Sequence, residues 1–107
     1  MTTERGAQGS AATGFLPDEG GARWRFVGPL TFADASDVFE AAEGRALPTG
    51  GQIDLAGVVA VDSSAVAVLL GLKRRASEEG RPLTFTHVPE ALALLADLYG
   101  VEEMLVT

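Results

Sequence analysis

The segment from Gln52 to Val88 constrains the fold most, because its apolar pattern changes from strand to helix and back. Gln52 to Leu55 is a short predicted strand, and Val58 to Val61 continues extended. A helix then runs to about Glu79 and is ended by Gly80, after which Leu83 to Val88 alternates as another strand. A strand, helix, strand unit predicts a parallel pair with a right-handed crossover. We therefore predict an α/β fold, a small mixed β-sheet with three helices packed against it.

The flanking segments supply the other predicted elements. Thr13 to Leu16 and Ala22 to Val27 are typical of two strands joined by a turn-rich loop. Thr31 with Asp34 resembles a capping box and opens a helix to about Glu43. Pro89 suits the first position of a third helix, which Gly100 ends. The tail Met104-Leu105-Val106 is either a last short strand or a packed terminus. Residues 1–12 are predicted to be a flexible segment, and residues 13–107 one domain.

Composition excludes several classes of site and partner. The chain has 107 residues, no cysteine and one histidine, so disulfides, thiolate catalysis and cysteine-ligated zinc are excluded. Its net charge of −7 argues against nucleic-acid binding, which needs a basic face. No secretory signal is visible and the longest apolar run is far shorter than a membrane span, so we predict a cytoplasmic protein. No metal or cofactor is predicted.

The junction Asp62-Ser63-Ser64 is the predicted functional centre. Asp62 alone can cap the following helix, which leaves Ser63 and Ser64 at its positive end, where a phosphate or a partner's acceptor is well received. The simpler alternative is that the three residues only turn and cap the chain. A serine triad with His87 is disfavoured because no nucleophile elbow surrounds the serines. His87 is instead expected to be half-buried and hydrogen-bonded.

The helix after this junction is uneven along its length. Its first two turns are apolar nearly all round, so this part is either enclosed or docked to another molecule. We expect one face of these two turns to remain uncovered and to contact a partner. The equally good alternative is that the small apolar residues are simply tolerated at the surface. Farther along, Lys73, Arg74 and Arg75 form a basic cluster. This cluster either contacts a partner or keeps the helix end in water.

The predicted N-terminal hairpin and three segments after it resemble the STAS domain, the fold of bacterial anti-sigma factor antagonists. The three segments are Gly28-Pro29-Leu30-Thr31-Phe32, Ile53-Asp54-Leu55-Ala56-Gly57-Val58 and, above all, Val61-Asp62-Ser63-Ser64-Ala65. The C-terminal part is more similar to the MlaB type within that family. The residues that carry this similarity are Phe85-Thr86-His87-Val88-Pro89, Leu92, Leu95, Ala96, Leu98, Tyr99-Gly100-Val101 and Leu105.

The resemblance implies a non-enzymatic binding module with two alternative partners. The MlaB type docks on the cytoplasmic ATPase subunit of an ABC system for phospholipid transport between membranes, and the hydroxyl after the motif's Asp, here Ser63, is important for that contact. Membrane contact is then only indirect. Anti-sigma factor antagonists instead bind an anti-sigma-factor serine kinase, which phosphorylates the second hydroxyl, here Ser64 (less favoured, Ser63). That group usually has Gly-Leu next, where this chain has Ala65-Val66. The predicted partner-binding residues are Asp62, Ser63, Ser64, Ala65 and Val66.

Overall fold

Four strands form one mixed sheet in the computed structural model, which describes residues 13–106, and only the backbone of Met104 and Val106. The strands are β1 (Gly14–Asp18), β2 (Arg23–Leu30), β3 (Gln52–Val61) and β4 (Thr84–Thr86), and they lie side by side in chain order. β1 and β2 are antiparallel, whereas β2, β3 and β4 are parallel. The predicted parallel pair around the central helix is therefore confirmed. The predicted flexible segment, residues 1–12, lies outside the described residues.

Four α-helices connect or follow these strands in residues 13–106. They are α1 (Phe32–Glu43), α2 (Ser63–Glu78), α3 (Glu90–Leu98) and α4 (Glu102–Val106), with a 3₁₀ turn at Glu19–Gly21 between β1 and β2. The predicted α/β fold with a mixed sheet and three helices is confirmed. The short α4 is the additional element, and its buried Leu105 makes the C-terminal tail a packed terminus rather than a strand.

The core forms where one face of the sheet meets the helices. Trp24 and Phe26 of β2 are buried, while Arg25 between them is exposed, as the alternation in the sequence predicts. The side chains of the core come from all four strands and all four helices, which together make one apolar cluster. This single cluster is expected of a domain of about this size.

Two irregularities in the β2–β3 pairing decide where β3 ends. Arg25 pairs with Asp54, but Leu30 pairs with Val61, so β3 holds two more residues than β2 over this stretch. Without these extra residues, Leu30 would lie opposite Val59 and the end of β3 would be out of register with the start of α1. The first irregularity lies between Asp54 and Gly57, where Leu55 and Ala56 oppose Phe26. It adjoins the gap between the two predicted extended pieces, which are in fact one strand.

β4 is shorter than the predicted strand Leu83 to Val88. His87 has a positive φ of 54°, which takes the chain out of the extended conformation after Thr86. The expectation of a half-buried His87 is therefore wrong, since its side chain is 68% exposed. The expected hydrogen bond is present, because His87 Nδ1 lies 3.1 Å from Asp54 Oδ1.

Asp62 and Arg75 hold α1 in place near both of its ends. Asp62, which precedes α2, accepts a hydrogen bond from the first N–H of α1, and the Arg75 guanidinium donates to Ala42 O at its C-terminal end. Arg75 also donates to Arg45 O at 2.7 Å, and Lys73 Nζ donates to Leu83 O. Two members of the basic cluster are thus engaged within the chain, whereas Arg74 is exposed.

Candidate interaction site

The site lies where two parallel strands end at the same edge of the sheet. Leu30 of β2 pairs with Val61 of β3, so the residues that follow them, Thr31 and Asp62, start α1 and α2 side by side. Two helix N-termini with their unsatisfied N–H groups therefore meet at this edge. A group that accepts hydrogen bonds from both can join them.

Asp62 is that group. Its Oδ1 accepts from Ser64 N at 2.8 Å, the cap predicted for α2, and its Oδ2 accepts from Phe32 N at 2.9 Å. The predicted capping box at Thr31 does not form, because the Thr31 hydroxyl donates to the Asp34 carboxylate at 3.0 Å instead of bonding backbone. The start of α1 is capped from a residue thirty positions away, which no local pattern indicates.

These bonds change the acidity of Asp62. The Phe32 N–H is the largest influence and lowers the pKa of this carboxyl; partial burial opposes it, and the Ser64 N–H and hydroxyl lower it further. The charged form is thus favoured at neutral pH, and two helix dipoles add to that preference.

We expect the acid stability of the chain to depend on Asp62. Because its pKa is lower when folded, the unfolded chain binds the proton more readily, and stability rises with pH. The contribution is complete above the ordinary aspartate pKa and is lost as pH falls through the folded value. Asp62→Asn has only one acceptor oxygen for two N–H groups. It should be less stable at neutral pH and lose less stability on acidification, as measured by urea unfolding across the acid range.

Asp37→Asn is the matched control for this prediction. It removes the same charge from an exposed position of α1, so it should keep the wild-type dependence on pH. Asp18 and Asp54 also have lowered pKa values, and they contribute the same trend in every variant. An Asp62→Asn protein with the full wild-type slope would contradict the prediction.

Ser63 is exposed at the first position of α2 and opens onto an apolar groove. We call this the Ser63 groove, and its other lining residues are Val66, Ala67, Leu70, Tyr99 and Val101. Tyr99, which lies directly after α3, is more than half exposed. A hydroxyl beside a mostly apolar groove can form one directed hydrogen bond within a larger apolar contact.

Ser64 faces a different side of α2 from Ser63 and is half-buried. It lines a second groove, the Phe32 groove, together with Phe32, Ala35, Ser36, Phe39, Ala67 and Val68. The exposed Ala67 is common to both grooves and forms the ridge between them. The two serines are therefore neighbours in sequence but are presented to different surfaces.

The two residues after the serines point inward. Ala65 is completely buried and Val66 is 4% exposed, so Ala65 has no surface to offer a partner and Val66 contributes only to the floor of the Ser63 groove. Helical geometry is the reason, because the core stripe of α2 begins at these positions and continues through Leu69. The surface available for contact is accordingly Asp62, Ser63 and Ser64 with the two grooves.

Two parts of this surface were missed by the sequence analysis, Phe32 and the Asp62 bond to its N–H. The available signal for Phe32 is its spacing, since it precedes Phe39 by seven residues and continues the apolar side of α1 to an exposed end. The C-terminal end of α3 also leaves apolar side chains uncovered, because Leu98 and Tyr99 are exposed.

Asp62, which is held by two N–H groups, is the titratable side chain at the serines. Within residues 13–106, no group of three or more His, Cys, Asp or Glu is placed to hold a metal ion. None of the helices in that range has the length and apolar character needed to cross a membrane.

Comparison with known families identifies a family model that matches most of the chain. The family model described as "Mlab, STAS domain" matches residues 22–107, which covers β2 to the C-terminus and includes the whole site. None of the curated proteins compared with the chain matches it.

Proposed function

The chain belongs to the STAS domain family, whose members are protein-binding modules, and from this premise we propose that it is a non-catalytic accessory subunit. It binds the cytoplasmic ATPase of an ABC-type phospholipid transport complex and supports the assembly and activity of that complex. The contact is made by Asp62, Ser63 and Ser64. The protein reaches the inner membrane only through this partner.

The observation that carries the proposal is the placement of Ser63. Its hydroxyl lies at the exposed start of α2, next to an apolar groove. Asp62 accepts from the Ser64 N–H of the same turn and from the Phe32 N–H, which fixes the start of α2 to the start of α1. A pre-formed surface of this kind loses little conformational entropy on binding. Apolar contact supplies most of the free energy of association, and the hydroxyl supplies orientation.

Ser63→Ala is the direct test. We expect it to weaken binding to the purified ATPase subunit of the phospholipid ABC transporter from the same organism by roughly fivefold, the equivalent of about 1 kcal/mol for one hydrogen bond. The equilibrium dissociation constant can be measured by isothermal titration calorimetry. A saturating concentration of the variant should still stimulate the ATPase, since the variant still occupies the site.

Ser64→Ala is the matched comparison, because it removes the same hydroxyl from the adjacent helical position on another face. We expect a smaller effect on ATPase binding than for Ser63→Ala. Negligible and equal effects in both variants would remove the serines from the interface. An ATPase that does not bind the wild-type chain at all would overturn the proposed function.

A second candidate function is that of an anti-sigma factor antagonist. Its specific support is the position of Ser64 in the first turn of α2, where a phosphate would be stabilised by the helix N-terminus but repelled by Asp62. Phosphorylation there would act as an off switch for an acidic partner. ATP-dependent formation of phosphoserine at Ser64 by a GHKL-type kinase, with no ATPase bound, would replace the first proposal with this one.

A further inference from the structure

Phe32 is the most exposed large apolar side chain among the described residues. It is 82% exposed and lies at the first position of α1, on the other side of α2 from the Ser63 groove. Aromatic side chains that are exposed in the free protein and buried on binding often carry a large share of the binding free energy. Its position next to the proposed contact makes it a candidate anchor.

The groove beside Phe32 has the size of a side-chain pocket rather than of a long channel. Its walls are Ala35 and Ser36 of α1 and Ala67 and Val68 of α2, which are small or apolar. It is closed toward the C-terminal ends of the helices, because Phe39 packs against Gly71. A Cβ built on this glycine would lie 2.7 Å from Phe39 Cε1. The open length is therefore about two helical turns, or roughly 11 Å.

Phe32 is also held in place before any partner arrives. Its N–H donates to Asp62 Oδ2, so the start of α1 is fixed to the start of α2, which carries Ser63 and Ser64. The aromatic ring and the serines thus keep a constant spacing. A partner that contacts Ser63 meets Phe32 without a rearrangement of the backbone.

The charge of α1 indicates what kind of segment fits there. The helix holds Asp34, Asp37, Glu40 and Glu43 and has no basic residue. Glu40 and Glu43 are exposed and follow Ser36 by four and seven positions, so they lie on the same side of α1 just beyond the end of the groove that Phe39 closes. Carboxylates beyond one end of an apolar groove favour a partner segment that presents an apolar side chain to the groove and Lys or Arg next to it.

We propose that the Phe32 groove binds a basic segment of the ATPase partner, with a large apolar side chain of that segment packed against Phe32. This inference rests on the proposed function and extends the interface across the Ala67 ridge to both sides of α2. Ser63 then orients the complex on one side, and Phe32 supplies an apolar anchor on the other.

Phe32→Ala tests the anchor. We expect it to weaken binding to the purified ATPase subunit by roughly thirtyfold, the loss typical of an aromatic hot spot. The thermal midpoint should change little, because the ring contributes little to the core of the free chain. Leu94→Ala is the matched control, since Leu94 is also exposed and lines neither groove, and it should bind as the wild type does.

The double variant Glu40→Gln and Glu43→Gln tests the charge. We expect roughly fivefold weaker binding at low ionic strength and a smaller dependence on salt than in the wild type. Equal affinity of Phe32→Ala and wild type for the ATPase would overturn this inference and leave the proposed function intact. A wild-type chain that fails to bind the ATPase would overturn both. A chain that dimerises through Phe32, with unchanged ATPase binding, would assign the groove to a second copy and overturn it too.

Discussion

Gly57→Ala is expected to lower the free energy of unfolding by about 3 kcal/mol, one of the largest effects of any single methyl group in this chain. A Cβ built at Gly57 would overlap the backbone carbonyl oxygen of Phe26 in the neighbouring strand. Backbone cannot turn aside as a side chain does, so the β2–β3 pairing must shift. Urea unfolding followed by far-UV circular dichroism measures the loss.

Gly44→Ala is the control for this variant. Gly44 follows α1 with an ordinary negative φ of −83°, and a Cβ there would meet its nearest neighbour at a normal contact distance of 3.5 Å. The free energy of unfolding of the Gly44→Ala protein should differ from that of the wild type by less than about 1 kcal/mol. Because the register of β3 around Gly57 helps to bring Asp62 beside Phe32, Gly57→Ala should also weaken binding of the partner. A Gly57→Ala protein as stable as the wild type would show that β3 takes a different register.

Arg75→Ala is expected to lower the free energy of unfolding by about 2–3 kcal/mol, since it removes charge-assisted hydrogen bonds to two backbone carbonyls. The guanidinium donates to Ala42 O at 3.0 Å and Arg45 O at 2.7 Å, and its Nε donates to Glu79 at 2.9 Å. The side chain is only 18% exposed. Chemical denaturation at neutral pH and moderate salt would measure the change.

Two comparisons isolate the role of the guanidinium. Arg74→Ala removes the same group from the exposed neighbouring position and should change stability by less than about 0.5 kcal/mol. Arg75→Lys keeps the charge but not the planar arrangement of donors, so it should fall between Arg75→Ala and the wild type. Equal stability of the Arg74 and Arg75 alanine variants would show that the Arg75 hydrogen bonds at the end of α1 do not stabilise the fold.

The fold could be predicted from the sequence to the extent that local patterns determine it. The alternation around Trp24, the glycine after α2 and the Asp62 cap are local features, and the structure bears each of them out. The strand at 83–88 was predicted too long because alternation carries no information on the positive φ of His87. The capping box at Thr31 failed because the Thr31 hydroxyl donates to the Asp34 carboxylate instead of accepting from a backbone N–H of the first turn.

The site could be predicted only as a motif. Adjacent hydroxyls after an aspartate indicate a helix start, and the family match includes that segment. The division of Ser63 and Ser64 between two grooves depends on how α1 and α3 pack on either side of α2, which is a tertiary property. For the same reason the buried Ala65 and Val66 could not be separated from the exposed Ser63, since the orientation of the helix on the sheet decides which side is covered.

The early end of β4 leaves part of an edge of the sheet uncovered, which matters for contacts between copies of the chain at high concentration. In the described part of the chain, Asp54 is the last residue of β3 paired with β4, so the rest of β3 borders the sheet without a neighbour on its outer side. A straight, uncharged strand edge can pair with a strand of another molecule and so lead to fibril formation. The extra residues of β3 break the regular spacing of the outward amide groups. Irregular spacing of this kind makes a strand edge a poorer template for pairing with another copy of the chain.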